Sequence, residues 1–393
     1  LKDFIIAEII EVSPHPNADK LSICKVEIGN KKVSVVCGAS NVKNGLKTVF
    51  APIGSTIPSN GLVLKKKDIR GYTGEGMLCS SQELCLEENS DGIIELSDDA
   101  PVGNAYIDWA NLSDPVFEIG LTPNRGDCTS ILGIARELNA LGIGKLKEKN
   151  TNKIRGTFKS SINWRLNLSD KDKSACPYVK GRFFKGLKNV ESPEWLKKRL
   201  LSIGLKPISS LVDLTNYLTF DIGRPLHVFD AKKVKGNLSI RLSNKNEELL
   251  ALDGKKYNFD KKILIIADEK QPVSIAGIIG GDYTSCDENT TEMFLESAYF
   301  DSKYIAASGR KLNIQSDARY RFERGVDPNS VDKGIDFMTQ LVLDICGGEV
   351  SEEVQAGQLN TNKKSIEFDY AKVEKIGGIK IEISKQESIL KNL

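Results

Sequence analysis

Apolar and polar positions alternate with a period near two through "FIIAEIIEV", "KLSICKVEIG", "KVSVVCG" and "KTVFAPIG". Turn formers separate these β-branched runs: Pro14, Pro16 and Asn17, then Gly29-Asn30, Asn44-Gly45 and Gly54. Short strands at this spacing predict a small barrel or sandwich over residues 4–112. The period then changes. "DCTSILGIARELNALG" has apolar residues at 131, 134, 135, 138 and 141, which predicts a helix with Asp127 as N-cap and Gly142 as the stop. "KEKNTNKIRGTFKSS" is polar and reads as a linker. From 162 to 350 helical and strand patterns mix. "SPEWLKKRLLSIG" has Ser192 as cap, Pro193 at the first helical position and Gly204 as terminator. "SSLVDLTNYLTFDIG" carries a stripe of Leu211, Leu214, Leu218 and Ile222 ended by Gly223. Strands are predicted at "LSIRL", "KKILIIAD", "PVSIAGIIGG" and "EMFLESA", then a helix at "SVDKGIDFMTQLVLDICGG"; a new strand and helix start at Ser365.

Composition narrows the partners. Lys+Arg number 55 and Asp+Glu 53, a net charge of +2, so there is no whole-molecule field to steer a polyanion. A nucleic-acid partner must be held by a local patch. No apolar run approaches the ~20 residues of a membrane span, and the N-terminus lacks a signal-peptide pattern. The 8 cysteines are scattered without a C-x-x-C pair, which predicts buried free thiols, no zinc site and a cytoplasmic setting. The chain opens at Leu1 inside a strand-like run and stops in an unfinished helical pattern, as a fragment would.

Several strings bear chemistry. "SPHPNADKLSICKVEIG" sets Asn17, Asp19 and Lys20 at a loop-to-strand junction, "CGASN" ends a strand with small residues, and Lys20, Lys25, Lys43 and Lys47 are placed to line one groove. "DLTNYLTFDIGRPLHVFD" puts Thr215 and Asn216 on the final turns of a helix, with His227 beyond a Gly223/Pro225 stop. Glu296, in "MFLESA", has apolar neighbours and needs a partner. Gly277, Gly280 and Gly281 admit close approach of a ligand, and Ala318 is another small residue. Taken singly, each reads as structure: a packed histidine, a strand-end glutamate, a Gly-Gly turn. "LKKKDIRG" reads as a solvated hairpin face. "YRFE" fits an aromatic-Arg-x-acid pattern, but Arg319, Arg321, Glu323 and Arg324 read better as an ion network bracing Ala318; neither G-x-x-x-x-G-K-[ST] nor G-x-G-x-x-G occurs.

As a string, "HPNADKL…VVCGASNV" resembles the tRNA-binding oligonucleotide-binding module of aminoacyl-tRNA synthetases and their accessory proteins. "LTPNRGDCTSILGIARELNAL", "DLTNYLTFDIGRPLHVFD", "LDG", "AGIIGG", "LESA" and "SDARYRFERGVD" follow in order. Over nearly its whole length the chain resembles the β-subunit family of bacterial phenylalanyl-tRNA synthetases, as an N-terminal fragment. The resemblance implies a multidomain α+β chain. A five-stranded oligonucleotide-binding β-barrel would span 1–112, and 113–150 would be part of a small α/β domain into which the barrel is inserted. A linker (151–161), a mixed α/β editing domain of B3/B4 type (162–362) and the truncated start of a B5-like domain (363–393) would follow.

It also implies residue roles: an editing pocket of Thr215, Asn216, His227, Ala276, Gly280, Glu296 and Ala318, and tRNA contacts at Asn17, Lys20, Lys25, Asn41 and Lys43. The implied partners are tRNA(Phe) and a synthetase α-subunit in an α2β2 tetramer, with neither DNA nor membrane. ATP and Mg2+ would serve the full enzyme, with no cofactor or metal bound by this fragment. The implied function is tRNA binding and hydrolytic editing of Tyr-tRNA(Phe); the alternative is a tRNA-binding and assembly scaffold with an inert pocket. Editing has a physical motive, because a hydrophobic pocket rejects an added hydroxyl by only ~10²-fold. Glu296 and His227 would grip the phenol as an acceptor and a switchable donor, while Thr215, Asn216 and amides near Gly280 position the ester or the water.

Overall fold

The computed structural model describes residues 1–87, 89–112, 115–147, 151–260, 262–359 and 365–393. They form two compact units, Leu1–Phe117 and Glu118–Leu393. The junctions expected at 112/113, 150/151 and 362/363 touch residues outside those described.

The first unit contains strands β1 (Ile5–Pro14), β2 (Ser22–Glu27), β3 (Lys32–Cys37), β4 (Lys47–Pro52), β5 (Lys67–Ile69), β6 (Tyr72–Gly74) and β7 (Gly76–Leu78), then helix α1 (Tyr106–Trp109). Five of the strands make an antiparallel sheet in the order β3-β2-β1-β4-β7. Successive residues of a strand face opposite sides, and here both sides are covered. Ala7, Ile9, Cys24, Val26, Val35 and Phe50 fill the interior, while Ile6, Val49 and Ala51 pack outward under Ile57, Leu84 and Tyr106. An irregularity in β1 between Ile9 and Glu11 supplies the bend. The Glu75 amide donates to Ser34 O at 2.9 Å, tying β3 to the turn before β7 and nearly closing the barrel. The barrel is thus of the oligonucleotide-binding type. The β5–β6 hairpin, which carries "LKKKDIRG", is largely exposed, as predicted.

The second unit begins with helix α2 (Ile131–Ala140). Its N-cap is Ser130, whose hydroxyl accepts from the Gly133 amide, rather than the expected Asp127, which sits in a preceding 3-10 turn. Gly142 follows the helix at φ +78°. Next come β8 (Trp164–Asn167), β9 (Tyr178–Lys185), α3 (Glu194–Ser202), α4 (Ser210–Asp221), β10 (His227–Asp230), β11 (Leu238–Leu242), β12 (Glu248–Leu250), β13 (Lys256–Asn258), β14 (Leu264–Ala267), β15 (Pro272–Ile275), β16 (Ile279–Gly280), β17 (Glu292–Tyr299), α5 (Ser302–Leu312), α6 (Asp317–Phe322), α7 (Ser330–Cys346), β18 (Glu349–Gly357), α8 (Ala371–Gly377) and α9 (Ile383–Asn392). Pro193, not Ser192, precedes α3; the Ser192 hydroxyl donates to Asp213 instead. No strand forms at 365–369. The expected linker is not loose: Phe158 bridges Ser351, and the Thr157 amide donates to Val350 O.

Two sheets organise this unit, a four-stranded antiparallel one (β10-β17-β9-β18) and a five-stranded one (β16-β15-β14-β11-β8) in which only the β11–β8 pair is parallel. The four-stranded sheet is buried on both faces, and period-two side chains feed two cores. Phe183, Phe229 and Phe294 point toward the five-stranded sheet, α5 and α6. Phe184, Val228, Met293 and Leu295 point the other way, toward Leu211, Leu214 and Leu218 of α4 and the apolar face of α7. All eight cysteines are free.

Candidate functional site

On the barrel, the β1–β2 loop is organised by His15. The Asn17 amide donates to His15 Nδ1 at 3.1 Å, so the ring proton lies on Nε2, which faces Ile69 O at 3.1 Å. The His15 ring meets Tyr72 edge-on, and Asn17 exchanges hydrogen bonds with the Arg70 backbone and side chain. The loop is therefore pinned to the tip of the β5–β6 hairpin. The expected contact residues separate into two groups. Lys20 is exposed, and Lys25 lies a loose 3.9 Å from Glu11, beside a groove of about 380 Å3 that Ser13, Ile23, Lys32 and Ser34 also line. Asn41 and Lys43 bond residues of the segment around Ile93 and Glu95, the Lys43 pair at the surface. Asn41 brackets Ile93, accepting from its amide and donating to its carbonyl, and Lys43 pairs with Glu95 at 3.2 Å. Lys47 donates to Asp98 O and Ala100 O. The four lysines do not line one groove, because two of them tie down residues 95–100.

The second constellation lies on the inner face of the four-stranded sheet. His227 opens β10 and Glu296 is central in β17; the antiparallel register makes them direct partners, His227 opposite Glu296. Direct cross-strand partners place their side chains side by side on one face. The His227 ring packs edge-on to Phe229, with ring centroids 4.5 Å apart. Gly280 closes the other side: a Cβ there would lie 2.4 Å from His227 Cε1 and 3.0 Å from Leu252 Cδ1, so only glycine fits.

Burial sets the electrostatics. Glu296 is 6% exposed, and its carboxyl makes no hydrogen bond among the described residues. Desolvation pushes its pKa up to about 8, against the opposing pull of the Arg224 cation. His227 is pushed down to about 4 by desolvation, and its buried Nε2 has no hydrogen-bond partner among the described residues. Near neutral pH the pair is mainly a carboxylic acid beside a neutral imidazole. Each can then both donate and accept, which refines the expected acceptor and switchable donor.

The other expected pocket residues are placed as follows. Thr215 and Asn216 sit in the middle of α4, not on its final turns. The Thr215 hydroxyl donates to Val212 O, and the apolar stripe of α4 enters the core on the opposite side of the sheet from Phe229 and Phe294. Among the described residues no hydrogen bond joins Thr215 or Asn216 to the His–Glu pair. Ala276 is wholly buried in the inter-sheet core. Ala318, on α6, packs against that same core. The Ser316 hydroxyl fixes the start of α6, accepting from the Arg319 amide and donating to Ile278 O at 2.7 Å. The expected ion network is present: Arg319 and Arg324 bond Glu323, and Arg321 bonds Asp317. Two clefts of about 270 Å3 open on this unit, and neither is lined by His227 or Glu296.

Sequence reasoning missed Trp164, whose buried indole Nε1 also lacks a partner. Its only signal was an inward position in a short strand. Asp127, Cys128 and Glu137 cluster as metal ligands do, but the Arg125 guanidinium already bonds all three.

Comparisons with known proteins agree with this architecture. The family description "Putative tRNA binding domain" matches residues 4–105 and "B3/4 domain" matches 175–347. The fold and these matches define a protein that joins a tRNA-binding barrel to a B3/4 domain. The phenylalanine–tRNA ligase beta subunit of Paramagnetospirillum magneticum is 48% identical over 393 residues, covering 100% of this chain and 49% of that relative. That of Rhodopseudomonas palustris is 49% identical over 395 residues, with the same coverage. Over its whole length the chain is similar to phenylalanine–tRNA ligase beta subunits, and it spans about half the length of the curated relatives it matches. A crystal structure of an N-terminal fragment of the phenylalanyl-tRNA synthetase beta-subunit from Pyrococcus horikoshii shares 17% identity over 74% of this chain and 84% of that one; its TM-score of 0.34 is too low to bear on the fold.

Proposed function

We propose that this chain supplies the tRNA-binding and hydrolytic editing modules of a phenylalanine–tRNA ligase β-subunit. The barrel holds tRNA(Phe), and the mixed α/β region removes tyrosine wrongly esterified to it. The observation that carries the reading is the cross-strand His227–Glu296 pair: a buried carboxyl held beside an imidazole whose buried Nε2 has no partner among the described residues, with Gly280 against the ring. A buried polar group without a partner is costly, and a phenolic hydroxyl meets that need where a phenylalanyl ring leaves it unmet.

In this reading the pair recognises the side chain and water cleaves the ester; Thr215, Asn216, Ala276 and Ala318 support the pocket rather than the hydroxyl contact. In this reading the modules would keep the bounds expected from the sequence: barrel to 112, a small α/β portion to 150, a linker to 161, an editing domain to 362 and the start of a further domain. The whole enzyme would join this subunit to an α-subunit in an α2β2 assembly in the cytoplasm. ATP and Mg2+ would serve the synthetic site there, with neither held by this chain. Among the described residues no helix is long and apolar enough to cross a membrane.

The test is deacylation of Tyr-tRNA(Phe) by the assembled enzyme and its Glu296→Ala variant. Loss of the preference for Tyr-tRNA(Phe) over Phe-tRNA(Phe) is expected. An unchanged preference would sink the role given to Glu296, whereas a wild type that deacylates neither substrate would favour the scaffold reading, with an inert pocket.

A further inference from the structure

The row of residues on the inner face of the four-stranded sheet does not end at Glu296. Glu296 has two direct cross-strand neighbours, His227 on β10 and Gly181 on β9. Above Gly181 lies Trp164, which belongs to the edge strand β8 of the other sheet. Trp164 is 6% exposed, and its Nε1 has no hydrogen-bond partner among the described residues. A Cβ on Gly181 would lie 2.4 Å from that nitrogen and 2.5 Å from Phe294 Cζ. The indole nitrogen therefore rests over bare backbone, at the residue paired with Glu296. Its ring sits 5.5 Å from the Phe294 ring at an interplanar angle of 52°.

An indole N–H is a donor only, and a buried one normally finds an acceptor. Here two sheets bring two orphaned polar groups, His227 Nε2 and Trp164 Nε1, to one row with the buried Glu296 carboxyl. A phenylalanine at that position would leave no orphan donor. A phenolic oxygen is both an acceptor and a donor through one hydroxyl.

We propose that Trp164 is a specificity-determining residue of this site, its indole N–H donating to the phenolic oxygen of a tyrosyl group whose own proton is shared with Glu296. This rests on the editing reading above. Gly181 is the residue that lets the indole N–H come down beside Glu296, since any side chain there would strike both aromatic rings. A phenylalanyl group fills the same space and leaves the indole N–H and Glu296 unmet. The discrimination is thus shared between the two sheets rather than confined to the His–Glu pair.

The experiment compares wild type and Trp164→Phe in the assembled enzyme, which keeps an aromatic ring and removes the donor. The kcat/KM for Tyr-tRNA(Phe) deacylation should fall about tenfold while that for Phe-tRNA(Phe) stays unchanged. If both change together, or neither changes, Trp164 is a packing residue and the proposal is wrong. A wild type that deacylates neither substrate overturns the editing reading itself, a distinguishable result. A second measurement covers a variant that does not fold. In 15N-labelled wild-type protein, the Trp164 indole resonance, assigned by elimination with Trp109→Phe and Trp195→Phe, should shift with free L-tyrosine and not with L-phenylalanine. Equal responses to the two amino acids, or no response, would sink the inference.

Discussion

At the scale of single residues, the site is defined by what burial does to two titratable groups. Glu296 binds its proton more tightly folded than unfolded, with a pKa raised from 4.5 to about 8. Its contribution to stability is present below pH 4.5 and is lost as pH rises toward 8. His227 is the reverse. Its pKa falls from 6.5 to about 4, so its contribution is present above pH 6.5 and is lost as pH falls toward 4. The two slopes oppose each other between pH 4.5 and 6.5, and above 6.5 only Glu296 acts. Glu296→Gln should abolish the decline between pH 6.5 and 8, a relative gain over wild type of roughly 2 kcal/mol across that window. Urea unfolding at pH 6.5 and pH 8 checks it; parallel pH dependence in the two proteins would show that Glu296 does not titrate there. The sequence made the desolvation of Glu296 legible through its apolar neighbours, but not its partner: nothing in "PLHVFD" or "FLESAY" specifies that residue 227 faces residue 296 rather than 294 or 298.

At the scale of elements, period and punctuation were readable and caps were not. The α4 stripe and its Gly223 terminator follow from spacing, whereas the α2 cap lies three residues beyond the expected Asp127, at Ser130. Both residues are good cap formers; the 3-10 turn at Gly126–Cys128 decides between them. The placement of α6, which carries Ala318, depends on Ser316 in two ways, as N-cap and as donor to Ile278 O. Ser316→Ala removes both and should cost about 1–2 kcal/mol of stability. Ser316→Thr keeps the hydroxyl and should restore most of it. Thermal unfolding of the two variants provides the check, and equal losses would mean that bulk rather than the hydroxyl matters.

At the scale of the whole molecule, a net charge of +2 means that RNA affinity rests on local cations not already spent inside the fold. Lys20 and Lys25 are exposed, without a close ion pair, while Lys43 is held by Glu95. Removing Lys20 and Lys25 together should weaken tRNA binding and flatten the slope of log affinity against log salt by about 0.7–0.9 for each phosphate no longer neutralised. Lys43→Ala should leave the slope unchanged. Binding titrations at several salt concentrations decide it, and an equal loss of slope in both cases would return Lys43 to the RNA-facing set. By itself the sequence determined the barrel, the mixed α/β region and the resemblance to the β-subunit family, because apolar period, turn residues and motif order are local properties of a string. Only the tertiary structure decided that His227 meets Glu296, that Trp164 stands over Gly181, and that Asn41 and Lys43 serve the barrel itself. Those outcomes depend on strand register and on which sheet covers which face, and both are fixed by packing between segments far apart in the chain.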